Sequence, residues 1–116
     1  MTIYVLNTLI VPINFDKYKR VKITLTQISV EEARMILEGT KFVSAVGHEA
    51  TAKLLSQLLQ IEIPFNRIQV YFEPNDVGIH FFLKTRIPEG KILSEEELKK
   101  LDFWLVKSEV NVDEEI

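Results

Sequence analysis

Strand-patterned segments follow one another directly in this chain, and that succession restricts its possible folds more than any other feature. Residues 2–7, Thr-Ile-Tyr-Val-Leu-Asn, are rich in β-formers and end in the turn-prone Asn7. After a loop at residues 14–17, the stretch 20–27 alternates Val21, Ile23 and Leu25 with Lys22, Thr24 and Thr26, the pattern of a half-buried strand. A second pair follows later. Ile68, Val70 and Phe72 alternate with Arg67, Gln69, Tyr71 and Glu73, and the turn cluster Pro74-Asn-Asp-Val-Gly78 leads into a run from Ile79 to Arg86. This arrangement predicts a hairpin. The run Phe81-Phe82-Leu83 predicts burial on both faces, hence a central strand. A last strand is expected from Phe103 to Glu109. A doubly wound parallel sheet needs a helix between successive strands, and here too many strands lack one.

The helices announce themselves at their ends. Ser29-Val-Glu-Glu32 is a capping box, and Gly39 supplies a stop after about Glu38. Val30, Ala33, Ile36 and Leu37 form the apolar stripe between. A second helix starts near His48, puts Leu54, Leu55, Leu58 and Leu59 on the core side, and closes before Pro64. Ser94-Glu-Glu-Glu97 is another capping box, with Leu93 and Leu98 spaced for a hydrophobic staple, and its helix runs to about Leu101. The order β-β-α-α-β-β-α-β predicts an α+β fold: a mixed, mostly antiparallel sheet of about five strands with helices packed on it. One domain is expected over residues 1–109.

Composition narrows the function classes. The 116 residues are 47% hydrophobic and 27% charged, an ordinary globular balance, and no apolar run reaches the roughly 20 residues of a membrane span. No secretory signal is legible, so a cytoplasmic location is expected. With no cysteine, disulfides, thiolate metal sites and cysteine nucleophiles are excluded. The net charge is −3, but Glu109, Asp113, Glu114 and Glu115 crowd the C-terminus with no base among them. Residues 110–116 are therefore expected to be a frayed acidic tail. The remaining body is near neutral with no basic stripe, which weighs against DNA binding and leaves room for a small anion. Two histidines without ligand-like spacing, and no Gly-rich phosphate loop or Gly-x-Ser-x-Gly elbow, argue for no metal and no cofactor.

The stretch Ser44-Ala-Val-Gly-His-Glu-Ala-Thr51 carries the chemistry. It follows a strand and opens a helix, so His48 stands beside backbone N–H groups that lack helical partners. Such a helix start attracts phosphate, and an imidazole there is suited to proton transfer near neutral pH. The alternative is a solvent-facing histidine near a cap. His80, inside the hairpin strand, reads as structural or surface. Arg67 and Arg86 flank predicted strands, where a guanidinium fork suits phosphate oxygens if the fold gathers them with Asn7 and His48.

Taken together, Tyr4-Val-Leu-Asn7, Ser44 to Thr51, Asn66-Arg67 and Arg86-Ile-Pro-Glu-Gly90 resemble a small family first known from archaeal viruses. Its members act as anti-CRISPR ring nucleases against type III defence. The resemblance spans residues 3–109. It implies a homodimer that binds cyclic tetra-adenylate across its two-fold axis and cuts it, without metal, to linear di-adenylates. The residue matching His48 is the general acid, and Arg86 and Glu89 match the rest of the active site. Asn7, Gly47 and Arg67 match ligand-binding positions. Where several members carry Gln this chain has Thr85. Where some carry a loop serine it has Leu9, Ile10 and Val11, leaving Thr8 as the available hydroxyl. The competing readings are a non-catalytic sponge for cyclic oligoadenylate and a viral regulator that binds nucleic acid or a host protein.

Overall fold

Local signals place most elements of the computed structural model, which describes residues 1–84 and 93–116. The strands are β1 (Ile3–Leu6), β2 (Tyr18–Gln27), β3 (Val43–Ala45), β4 (Val77–Leu83) and β5 (Phe103–Glu115). The helices are α1 (Val30–Leu37), α2 (Glu49–Leu59) and α3 (Glu95–Lys99). Both predicted capping boxes form: Ser29 with Glu32, and Ser94 with Glu97. Gly39 has φ +73°, the left-handed conformation that ends α1 at low steric cost. Thr85, Arg86 and Glu89 lie outside the described residues.

The fold is α+β, one domain with a five-stranded mixed sheet in the order β2-β5-β4-β1-β3. The β2–β5 and β5–β4 pairs are antiparallel and supply the longer ladders, while β1 runs parallel to both β3 and β4. Strand alternation divides the sheet into two faces. One face carries Ile3, Val5, Ile79, Phe81 and Leu105 into a cluster with Ala33 and Leu37 of α1 and Ala52, Leu54, Leu55 and Leu59 of α2. On the other face Leu6 and Val110 pack beneath Val70 and Phe72, with Val11 and Ile13 alongside.

The expected hairpin does not form. β4 is the middle strand, as expected, although Phe82 is 38% exposed and the run Phe81-Phe82-Leu83 is not buried on both faces; both edges of β4 are occupied, by β1 and β5. Residues 67–73 therefore cannot pair with β4. They cross the second face instead, with Phe72 bridging Ile13 and burying its ring completely. The predicted turn is present, with Asn75 at φ 71°. Asp76 secures it by accepting from the N–H of Glu73 (2.8 Å) and from that of Thr2 (2.9 Å). This second bond delivers β4 beside β1 rather than back along 67–73.

Two further expectations are corrected. Arg20–Gln27 forms a strand, but it is not half-buried: β2 is the sheet's edge, and Ile23 and Leu25 are 41% and 52% exposed. The acidic end does not fray, because β5 continues to Glu115 and pairs it with Tyr18. The Tyr18 hydroxyl donates to Glu73 Oε2 at 2.5 Å, which anchors this end, and Glu73 pushes the phenol up to about 12. Arg20 Nε also stands 3.1 Å from Asp113, so some tail charge meets a base across the ladder.

Candidate functional site

The parallel strands set the location. β1 ends at Leu6, in register with Ala45 at the end of β3 and with His80 in β4. Their carboxyl ends therefore open on one edge of the sheet, where α/β proteins commonly hold ligands. Asn7 leaves β1 there, and Gly47 and His48 lead from β3 into α2.

Short polar bonds hold these connections together. Ser44 is buried; its hydroxyl donates to the carbonyl of Pro64 (2.5 Å) and accepts from the N–H of Val46 (3.3 Å). Asn66 clasps the same turn, donating from Nδ2 to Ser44 O (2.8 Å) and from its backbone to Val46 O (2.9 Å). This pins the following Arg67 over the turn. A methyl group at Gly47 would stand 3.2 Å from Arg67 Cγ, so glycine lets the arginine stem lie close across this backbone. The Gly47 N–H also reaches Asn7 Oδ1 at 3.5 Å, a long contact that joins the two strand ends. Asn7, Gly47, His48 and Arg67 thus meet at one edge.

His48 is the N-cap of α2, extended at φ −134° and ψ 119°. Its Nδ1 accepts from the Thr51 N–H (3.3 Å) and lies 2.9 Å from the Thr51 hydroxyl oxygen. The cap acceptor is Nδ1, so the neutral ring carries its proton on Nε2. The species that gives a proton to a substrate is the imidazolium, and with Nδ1 turned to Thr51 that proton leaves from Nε2. In the imidazolium form Nδ1 also carries hydrogen, and the Thr51 hydroxyl is placed to accept it. Thr51 was quoted in the sequence motif without a role; it stands three residues after the cap, where a cap's partner belongs.

Thr8 is exposed, and its carbonyl accepts a hydrogen bond from His80 Nδ1 at 2.8 Å. His80, read as structural or surface, is fully buried and not a surface residue. Its Nε2 lies 2.7 Å from Ser108 Oγ, and desolvation lowers its pKa below the ordinary value. The bond that ties it to Thr8 spans 72 residues of sequence, so no local signal points to it. Arg67 is exposed and has no ion pair among the described residues. Among those residues, no three His, Asp or Glu side chains are grouped to hold a metal ion. No described helix is long and apolar enough to cross a membrane.

Similar proteins come from viruses of archaea and, in protein YddF at 35% identity over 103 residues, from Bacillus subtilis (strain 168). Protein 26 of Sulfolobus islandicus filamentous virus (isolate Iceland/Hveragerdi) is 41% identical over 106 residues, covering 89% of this chain and 88% of its own. Protein ORF117 of Acidianus two-tailed virus is also 41% identical, over 108 residues and 90% of each chain. The solved structure of B116 from Sulfolobus turreted icosahedral virus shares the fold, with a TM-score of 0.80 over 94% of this chain and 99% of that one, at 22% identity. The family described as STIV B116-like matches residues 3–105, and the chain belongs to that family.

Proposed function

We propose that the protein is a metal-independent ring nuclease that cuts cyclic tetra-adenylate to linear di-adenylates and so switches off type III CRISPR signalling. The observation that carries this reading is the gathering of Asn7, Gly47, His48 and Arg67 at the carboxyl edge of the parallel strands. An exposed guanidinium, a helix start and a proton-bearing Nε2 are together what cleavage of an RNA linkage by its own 2′-hydroxyl requires.

In this reading a ribose 2′-oxygen attacks the adjacent phosphorus, in line with the departing 5′-oxygen. The P–O5′ bond breaks, and His48 as the imidazolium gives its Nε2 proton to that oxygen and keeps the one on Nδ1. The 2′-hydroxyl proton passes to solvent. Each cut leaves a 2′,3′-cyclic phosphate and a 5′-hydroxyl, and two cuts yield two di-adenylates. Arg67, Asn7, Gly47 and Thr8 hold the ring. Arg86 and Glu89 enter by resemblance alone, as active-site residues, and Thr85 would bind the ligand where several members carry Gln.

A four-fold ring suits a two-fold dimer. An exposed aromatic pair on the sheet supports a second copy: Phe82 and Trp104 stack at 5.2 Å and stay about two-fifths exposed. The protein would act in the host cytoplasm, where the messenger is made.

The test is incubation of the purified protein with cyclic tetra-adenylate in excess EDTA, with product separation and sedimentation in parallel. Di-adenylates ending in a cyclic phosphate, formed by a dimer, are expected, and a ring lacking its 2′-hydroxyls should bind uncut. Binding without cleavage of the natural ring would instead identify a sponge. No binding at all would remove both.

A further inference from the structure

The two hydrogen bonds of His80 are not needed to fill space, since an apolar ring would fill it as well. Its Nδ1 faces the Thr8 carbonyl at 2.8 Å. A carbonyl only accepts, so Nδ1 carries the proton and donates. Nε2 is then a bare acceptor and takes the hydroxyl proton of Ser108 at 2.7 Å. The ring is sealed from solvent and lies 6.3 Å from that of Phe72, nearly parallel at 13°. The backbone makes room for this pair: a Cβ on Gly78 would fall 2.5 Å from both His80 Nε2 and Ser108 Oγ. Three residues on two adjacent strands therefore place one N–H donor at one position.

That position is the first turn of the chain after β1. Thr8 follows Asn7, whose side chain meets the Gly47 N–H. The next residues, Leu9 and Ile10, are exposed at 37% and 57%, and little apolar burial holds them. A neutral, single-tautomer donor from the middle strand is thus a fixed tether for a loop that packing leaves loose.

We propose that His80 is a positioning residue of the candidate site: through the Thr8 carbonyl it fixes the strand-end turn from which Asn7 and Thr8 address the ligand. The Thr8 carbonyl selects its tautomer, Ser108 supplies the complementary donor to Nε2, and Gly78 leaves the space for both side chains. The ligand part of this inference rests on the ring-nuclease reading; the tether does not.

The test has a ligand-free arm and a ligand arm. In the first, nitrogen-15 NMR of the imidazoles should show His80 protonated at Nδ1 only at pH 7. In His80→Phe, which keeps an aromatic ring beside Phe72, relaxation should show residues 7–9 newly mobile. A His80 protonated at Nε2, or an unchanged loop in the folded variant, would overturn the tether.

In the second arm, cyclic tetra-adenylate affinity and single-turnover cleavage are compared across His80→Phe, His80→Gln and Ser108→Ala. His80→Phe should bind at least tenfold more weakly. His80→Gln, whose amide can donate and accept, should recover most of that loss. Ser108→Ala should lose severalfold, because Nε2 loses its donor and the ring is held by one bond. Wild-type affinity and rate in a folded His80→Phe would overturn the positioning role. If His80→Phe fails to fold, the same decision falls to the other two variants, and wild-type behaviour in Ser108→Ala then overturns it. Wild-type protein that neither binds nor cuts the ring would defeat the ring-nuclease reading, and with it the ligand part of this inference, while the first arm still judges the tether.

Discussion

His48 Nδ1 and Thr51 Oγ1 stand 2.9 Å apart across the first turn of α2, and the same nitrogen accepts the Thr51 N–H at 3.3 Å. Two donors of opposite use thus converge on one ring nitrogen. The backbone N–H serves the neutral imidazole, and the hydroxyl, which can reverse its bond, serves either protonation state. Capping uses the bare Nδ1 of the neutral ring and proton transfer the Nε2–H of the imidazolium, so the two can be separated by substitution.

His48→Asn separates them. Asparagine is a strong N-cap and should hold the Thr51 N–H, leaving thermal stability within about 1 kcal/mol of the parent. It has no proton to give, and general acid catalysis is worth about 10²–10⁴ in rate. Single-turnover cleavage should fall by that factor while ring affinity changes less than about tenfold. A folded His48→Asn protein cutting at the parental rate would remove His48 from the mechanism.

Thr51→Val keeps the backbone N–H and deletes the hydroxyl. The cap survives, but the imidazolium loses its Nδ1 partner, so kcat should drop about tenfold with KM nearly unchanged, the mark of an interaction felt mainly in the transition state. Thr51→Ser should restore the rate. Equal loss in both variants would assign Thr51 to packing.

Gly78→Ala tests the crowding around the buried histidine. The added methyl meets His80 Nε2 and Ser108 Oγ at 2.5 Å and Phe72 Cε2 at 3.0 Å, none of them the end of a long flexible chain. Overpacking of this kind costs about 1–3 kcal/mol. Urea denaturation should show a lower midpoint with an unchanged slope.

Stability should also depend on His80 and pH. Burial lowers its folded pKa below the unfolded value of about 6.5, so the native state binds fewer protons than the unfolded chain. Stability then rises with pH in this window. The contribution is complete above about 6.5 and is lost as pH falls through the folded pKa. Melting from pH 7.5 down to 5.0 should show a steeper decline for wild type than for His80→Phe. Parallel declines would contradict a neutral buried imidazole.

Much of the local structure was legible. Ser29 with Glu32 and Ser94 with Glu97 satisfy helix-end N–H groups within four residues, so their spacing predicts them correctly. Leu54, Leu55 and Leu59 are buried because a 3.6-residue period puts them on one side of α2 whatever lies opposite. The helix start at His48 was legible for the same reason. Alternation in residues 67–73 was read as a strand because it reports which side is apolar, and Val70 and Phe72 are indeed buried, while Ile68 stays exposed. It says nothing about whether a partner edge is available. Arg86 and Glu89 belong to the candidate site by resemblance and lie outside the described residues.

What the amino-acid order determined by itself, then, is helix ends, apolar faces and the chemical types gathered near residues 44–51, because each rests on contacts within one or two turns. Tertiary structure alone decided that β4 lies between β1 and β5, and that Thr2 meets Asp76 and Tyr18 meets Glu115. It also decided that His80 lies beneath Thr8 rather than at the surface. Those choices join residues dozens of positions apart. Each depends on which competing strand edge and which buried volume is still unfilled when the chain closes, a property of the whole fold that no local period encodes.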